Sequence, residues 1–126
     1  MTNAPTAFEE GTGVGIKLVG GVVGDITNNG VINAVSDGIA LTSSASVTGD
    51  IQNESDGIIN ADDRGVYIQS SVIGGNVLNS GVINADTSGI QLASGSAMVI
   101  GDIVNSGDIN AVNQGIRLNS GSIVKG

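Results

Sequence analysis

The chain has no cysteine, no histidine and no tryptophan. It has one proline, one phenylalanine and one tyrosine, and four basic residues against twelve acids, for a net charge of −8. Each scarcity excludes something. Without cysteine there are no disulfides and no thiolate metal sites. Without histidine, catalysis that turns on an imidazole is ruled out. Four Lys and Arg cannot neutralise a phosphate track, and no aromatic set exists on which bases would stack, so nucleic acid is not an expected partner. No apolar run is long enough to cross a bilayer, so this segment is not expected to insert into a membrane. The opening MTNAPTAFEE is acidic and has no apolar centre, unlike a signal peptide. The acidity suits a surface-exposed protein or a weak cation binder, and no cofactor or dedicated metal site is expected.

What the chain does have is glycine at a fixed interval. Gly24, Gly49, Gly75 and Gly101 open four similar units, and Gly126 stands where a fifth would open, at steps of 25 or 26 residues. A period of this size marks a solenoid. The stretch GDIVNSGDINAVNQGIRLNSG from Gly101 is echoed by GDITNNGVINAVSDGIALTSS, the plainest unit, and by GDIQNESDGIINADDRGVYIQS and GNVLNSGVINADTSGIQLASG. Three short apolar segments recur in each unit, of the forms G-[DN]-[IV]-x-N, [VID]-I-N-A and G-[IV]-x-[LI]. A looser apolar position falls two residues before each opening glycine, at Val22, Val47, Ile73, Val99 and Val124. The segments are too short for helices, are β-branched and are bounded by Gly, Asn, Ser and Asp, so they read as strands and turns.

Three short strands and three corners per unit make one coil of an all-β, single-stranded parallel β-helix of about four full coils. A right hand is favoured by the rule for parallel crossovers. Each strand would pair with its copy one coil away at about 4.8 Å, giving a rod of roughly 20 Å. Alternation along a strand then assigns faces. The inward columns are Ile26, Ile51, Val77, Ile103; Ile32, Ile59, Ile83, Ile109; Ala34, Ala61, Ala85, Ala111; Ile39, Val66, Ile90, Ile116; and Leu41, Ile68, Leu92, Leu118. The column Ala40, Tyr67, Gln91, Arg117 is too varied for a core and is assigned to solvent, with Lys17 at its head. A coil gains roughly 1.5–3 kcal/mol from each of its few buried aliphatics and loses about 1–2 kcal/mol per ordered residue. One coil therefore cannot stand alone, and stacking is obligatory.

The β-helix is expected over residues 13–126, with coils starting near 24, 49, 75 and 101. Residues 1–12 fall outside the repeat and read as either a loose segment or a cap, with Phe8 either folded over the first coil or free. The second unit carries NESDGIIN where the others have NNGVIN, NSGVIN or NSGDIN, an insertion of two residues at its first corner. No polar cap follows the last unit. An end of this kind is expected either to continue into further coils or to pair with other copies.

Candidate functional residues are few. The asparagine columns Asn28, Asn53, Asn79, Asn105 and Asn33, Asn60, Asn84, Asn110 repeat in every coil, so they read as structural ladders in which each amide donates to the next. Gly38, Gly65, Gly89 and Gly115 supply positive φ or a close backbone approach. GTGVG and GGVVG lack the helix a phosphate loop needs, and the calcium-binding nonapeptide pattern is absent. Asp25, Asp50 and Asp102, with Asn76 in the gap, form an acid column whose members would repel one another unless solvated or bridged by a cation. The one singular polar group is Glu54, Asp56, Asp62, Asp63, Arg64 and Tyr67. Acids, an Arg and a Tyr can hold a sugar or a metal. The plainer reading is an exposed ion pair of Arg64 with Asp62 or Asp63, of little energetic weight.

The string GDIxNxGxINAxxxGIxLxSxSxVxG, which spans residues 15–126, resembles the β-helical passenger repeats of bacterial autotransporters and related surface adhesins. The resemblance implies a stalk or display surface outside the cell, with any surface glycan or protein ligand left unspecified. The expected function is a non-enzymatic structural solenoid able to self-associate, end to end through open ends or side by side through an apolar face that includes Leu78, Val104, Val31, Ile58 and Val82. The alternative is a carbohydrate-binding or carbohydrate-active β-helix of the lyase or tailspike kind. Such an enzyme needs several acids and a base facing one groove, whereas Lys17, Arg64, Arg117 and Lys125 are dispersed. An ice-binding face would need a regular ladder of small residues, and the outward column Thr27, Gln52, Leu78, Val104 does not supply one.

Overall fold

The computed structural model describes residues 2–3, 8–10, 13–93 and 95–126, and every regular element among them is a β-strand. The strands form four parallel sheets of five, so each turn of the chain contributes one strand to each sheet. The first sheet holds Thr2–Asn3, Ile26–Asn28, Ile51–Asn53, Val77–Asn79 and Ile103–Asn105. The second holds Phe8–Glu10, Val31–Ala34, Ile58–Ala61, Val82–Ala85 and Asp108–Ala111. The third holds Ile16–Val19, Ile39–Thr42, Arg64–Ile68, Ser88–Leu92 and Gln114–Leu118. This is a β-solenoid with like residues stacked over like: Ile26 on Ile51 on Val77 on Ile103, and Ile32 on Ile59 on Ile83 on Ile109.

The fourth sheet adds one short strand per coil to the three expected. Val22–Val23, Ser46–Val47, Val72–Ile73, Met98–Val99 and Ile123–Val124 are strands of two residues, too short to show alternation in a sequence. Their register also shifts one member of the looser apolar position. Val23, not Val22, stacks on Val47, and Val22 is 69% exposed. The offset lies in the corner between the fourth and first sheets, where three residues separate Val47 from Ile51 and two separate Val23 from Ile26.

The inward columns of the inner coils are buried as expected, from Ile26 through Leu92. In the last coil described, Ile116 and Leu118 are 41% and 52% exposed. The outward column on the third sheet is less open than expected. Ala40 and Gln91 are buried. Ala40 sits between the longer Lys17 and Tyr67, and Gln91 between Tyr67 and Arg117. At a strand spacing near 4.8 Å, long neighbours shade a short or flat-lying side chain.

Two kinds of corner are worth separating. The turn between the third and fourth sheets is left-handed, with positive φ at Gly20, Gly21, Ser43, Ser44, Ser70, Gly95 and Gly121. The glycines at the second corner are different. Gly38, Gly65 and Gly89 do not have positive φ; a Cβ on Gly65 would strike Ile83 Cγ2 and the carbonyl of Gly89 in the next coil. Close approach, not handedness, excludes a side chain there. The two extra residues of the second unit, Ser55 and Asp56, bulge outward in a turn closed by the Gly57 N–H on the Glu54 carbonyl at 2.8 Å. Register resumes at Ile58 on Val31.

Thr2–Asn3 and Phe8–Glu10 pair in parallel with the first full coil, Asn3 in register with Asn28 and Glu9 with Ile32. The expected disposition of the Phe8 side chain, and of residues 1, 4–7, 11 and 12, lies outside the described residues.

Candidate functional site

The six singular residues divide between two corners. Glu54 and Asp56 sit on the first-corner bulge, and Asp62 is exposed at the second corner. The second corner also holds Asp63 and Arg64, with Tyr67 three residues on along the third sheet. The structure brings Asp63, Arg64 and Tyr67 together and leaves Glu54, Asp56 and Asp62 apart from them.

A fourth member, Asp37, was not among the expected residues. Arg64 Nε donates to Asp37 Oδ1 at 2.7 Å, and Nη2 to Oδ2 at 3.2 Å, a two-pronged contact. Nη2 also lies 3.1 Å from Asp63 Oδ2, while the guanidinium carbon stands 3.5 Å from the Tyr67 ring centre. The Asp37 side chain is 6% exposed. This corrects the reading of Arg64 as an exposed pair of low value: its main partner is a nearly buried carboxylate one coil earlier. The signal for it was available in the repeat. Asp37 precedes Gly38 as Arg64 precedes Gly65, and Gly38 bonds back to the Arg64 carbonyl, so the two occupy one column.

The electrostatics follow from that geometry. Burial pulls the Arg64 pKa down, but the hydrogen bond and charge of Asp37, then Asp63 and Tyr67, outweigh it and leave the guanidinium held above its ordinary value. Arg64 is therefore a fixed cation, held on its edge by two carboxylates and on its face by a ring. Next in the column comes Ser88, fully buried, with its hydroxyl unpartnered among the described residues. The column closes over Arg64 instead of opening into a groove. The depression of about 490 Å³ described on the surface is elsewhere, between Asn84–Asp86 and Ile109–Val112, and its one acid is Asp86. No group of three or more His, Cys, Asp or Glu able to hold a metal occurs among the described residues.

The repeated columns are ladders, as expected. In the inner one, Asn28 donates to Asn53, Asn53 to Asn79 and Asn79 to Asn105, at 2.7–2.8 Å. The same amides also donate to corner carbonyls, such as Asn53 to Gly57 and Asn79 to Asp108. The outer ladder runs the other way: Asn60 donates to Asn33, Asn84 to Asn60 and Asn110 to Asn84, at 2.8–2.9 Å. Opposed senses set the two rows of amide dipoles against each other. The acid column has a role that repulsion alone did not suggest. Asp25 Oδ1 accepts the Asp50 N–H at 2.9 Å, and Asp50 Oδ1 accepts the Asn76 N–H at 2.6 Å. Each side chain occupies the space that a Cβ would fill on the next opening glycine. The Gly-Asp pair that begins a coil is thus one device, an acceptor and the vacancy that admits it.

Comparison with protein-family models, with curated proteins and with solved structures finds no match.

Proposed function

We propose that this chain is a non-enzymatic structural β-solenoid, a rod segment of the kind found in bacterial surface adhesins or filaments outside the cell, which associates with other copies of itself. The observation that carries the reading is the fate of the singular cluster. Arg64, the one base among the singular residues, is spent on Asp37, Asp63 and Tyr67, beside a column that closes at Ser88. The remaining polar features recur coil after coil and act on the backbone or on one another. A rod held by repeated devices suits spacing and display.

The outward aliphatics along the rod, Val72 and Val104 among them, serve association in this reading. The test against the carbohydrate reading is incubation with acidic and neutral polysaccharides, followed by product analysis and binding calorimetry. Neither cleavage nor binding is expected. Cleavage or saturable binding that disappears in Arg64→Ala, with the fold intact, would overturn the proposal.

A further inference from the structure

The charges of this chain are not spread evenly around the rod. Residues 18–24, 41–49, 68–75, 92–101 and 118–124 contain no charged residue, in a protein that carries twelve acids and four bases. In the solenoid these five stretches are stacked. They form the left-handed corner and the fourth sheet of every coil. Val22, Ser46, Val72, Met98 and Ile123 are in register as the outward column of that sheet, and Val22, Val72 and Ile123 are exposed, as is the nearby Ile100. The result is a neutral, partly apolar band running the length of the rod.

The band has unlike borders. On one side, the third sheet presents Lys17 at one end of the rod and Arg117 at the other. On the other side, the corner that opens each coil presents Asp25, Asp50 and Asp102, with Lys125 after the last strand. We infer that two copies of this chain pair side by side through the neutral band, with their rods parallel. This rests on the scaffold reading above and names the face that it uses.

Two arguments fix the occupant and its direction. Two chains of charge −8 repel wherever their carboxylates meet, and a strip without charge is where they approach at least cost while burying aliphatic surface. Direction follows from symmetry. A two-fold axis parallel to the rods sets the basic border of each copy against the acidic border of the other, with Lys17 at the level of Asp25 and Arg117 at that of Asp102. A two-fold across the rods sets acid against acid. An isologous pair of the first kind is closed and stops at two.

The chain has no native cysteine, so single cysteines report the arrangement directly. In a parallel pair, Ile123→Cys meets its own counterpart across the axis. A mild oxidant is expected to give a covalent dimer from Ile123→Cys and not from Val112→Cys, which is more exposed but lies at the second corner. Sedimentation of the wild-type chain should show a monomer–dimer equilibrium shifted toward dimer by added salt, since screening removes repulsion between acidic faces. Val72→Asp and, separately, Ser46→Asp should weaken it at least tenfold with an unchanged circular dichroism spectrum.

A mass of one chain at all concentrations overturns the inference and the self-association in the scaffold reading; with no glycan cleavage it leaves the non-enzymatic rod standing. Cross-linking of Val22→Cys to Ile123→Cys in a mixture, without homodimers of either, overturns the parallel arrangement. Open-ended growth abolished by Leu118→Asp would place association at the rod ends instead, and sedimentation with neutral phospholipid vesicles in place of self-pairing would make the band a lipid surface. Either result overturns the inference.

Discussion

At the scale of single residues, stability is concentrated in side chains that reach from one coil to the next. The two asparagine ladders make the same bond in different surroundings. The inner one is buried and its amides carry additional backbone acceptors; the outer one is half in solvent. Removing a buried partner costs the desolvation of whatever it leaves unpaired, about 1–3 kcal/mol per group, whereas a solvated partner is replaced by water. Asn79→Ala is therefore expected to lower the unfolding free energy by about 3 kcal/mol and Asn84→Ala by about 1 kcal/mol or less, measured by denaturant titration. Equal losses would refute the distinction. Arg64 is a second such residue. Its removal strands the Asp37 carboxylate at a nearly dry site, so Arg64→Ala should cost on the order of 3 kcal/mol. Arg64→Lys should restore only part, since an ammonium cannot make the two-pronged contact. A raised arginine pKa contributes stability that is complete below the unfolded value, itself far above neutrality, and is lost only as pH climbs through the folded one. The Arg64 contribution should thus be flat across the neutral range.

At the scale of elements, the strands tolerate nothing out of register and the corners tolerate a good deal. Ser55 and Asp56 project from the first corner of the second unit, while the Glu54 N–H still donates to Asn28 and the Gly57 carbonyl still accepts from Val82, as their counterparts do in other coils. Deleting both residues restores the Asn-x-Gly corner of the other units. It is expected to change stability by less than about 1 kcal/mol, since loop length enters only logarithmically. A loss of cooperative unfolding in that deletion would show the bulge to be part of the frame. The same contrast explains what the sequence revealed. Inward columns such as Ile32, Ile59, Ile83 and Ile109 are legible because stacking demands the same residue at the same place in each coil. The fourth sheet escaped because two residues per strand carry no period. Asp37 escaped because it was sought beside Arg64 in sequence, whereas its place is one coil away, in a column whose other members, Ser88 and Gln114, share none of its chemistry. The burial of Ala40 is equally hidden, since it depends on the length of Lys17 and Tyr67 and not on alanine itself.

At the scale of the whole molecule, each coil is the floor of the next. No coil has a core of its own, and the acceptor at Asp25 or Asp50 serves a backbone that belongs to its neighbour. The rod should accordingly unfold as a coupled stack. The central claim is parallel stacking in register, and a distance measures it most directly. Thr27 and Val104 lie in one outward column, three coils apart, through Gln52 and Leu78. Spin labels on Thr27→Cys and Val104→Cys in this cysteine-free chain should be separated by about 15 Å, three times the strand spacing with allowance for the label arms. A single narrow distribution near that value is the expected result. A broad distribution, or one centred beyond roughly 25 Å, far outside three strand spacings, would contradict the fold and everything argued from it.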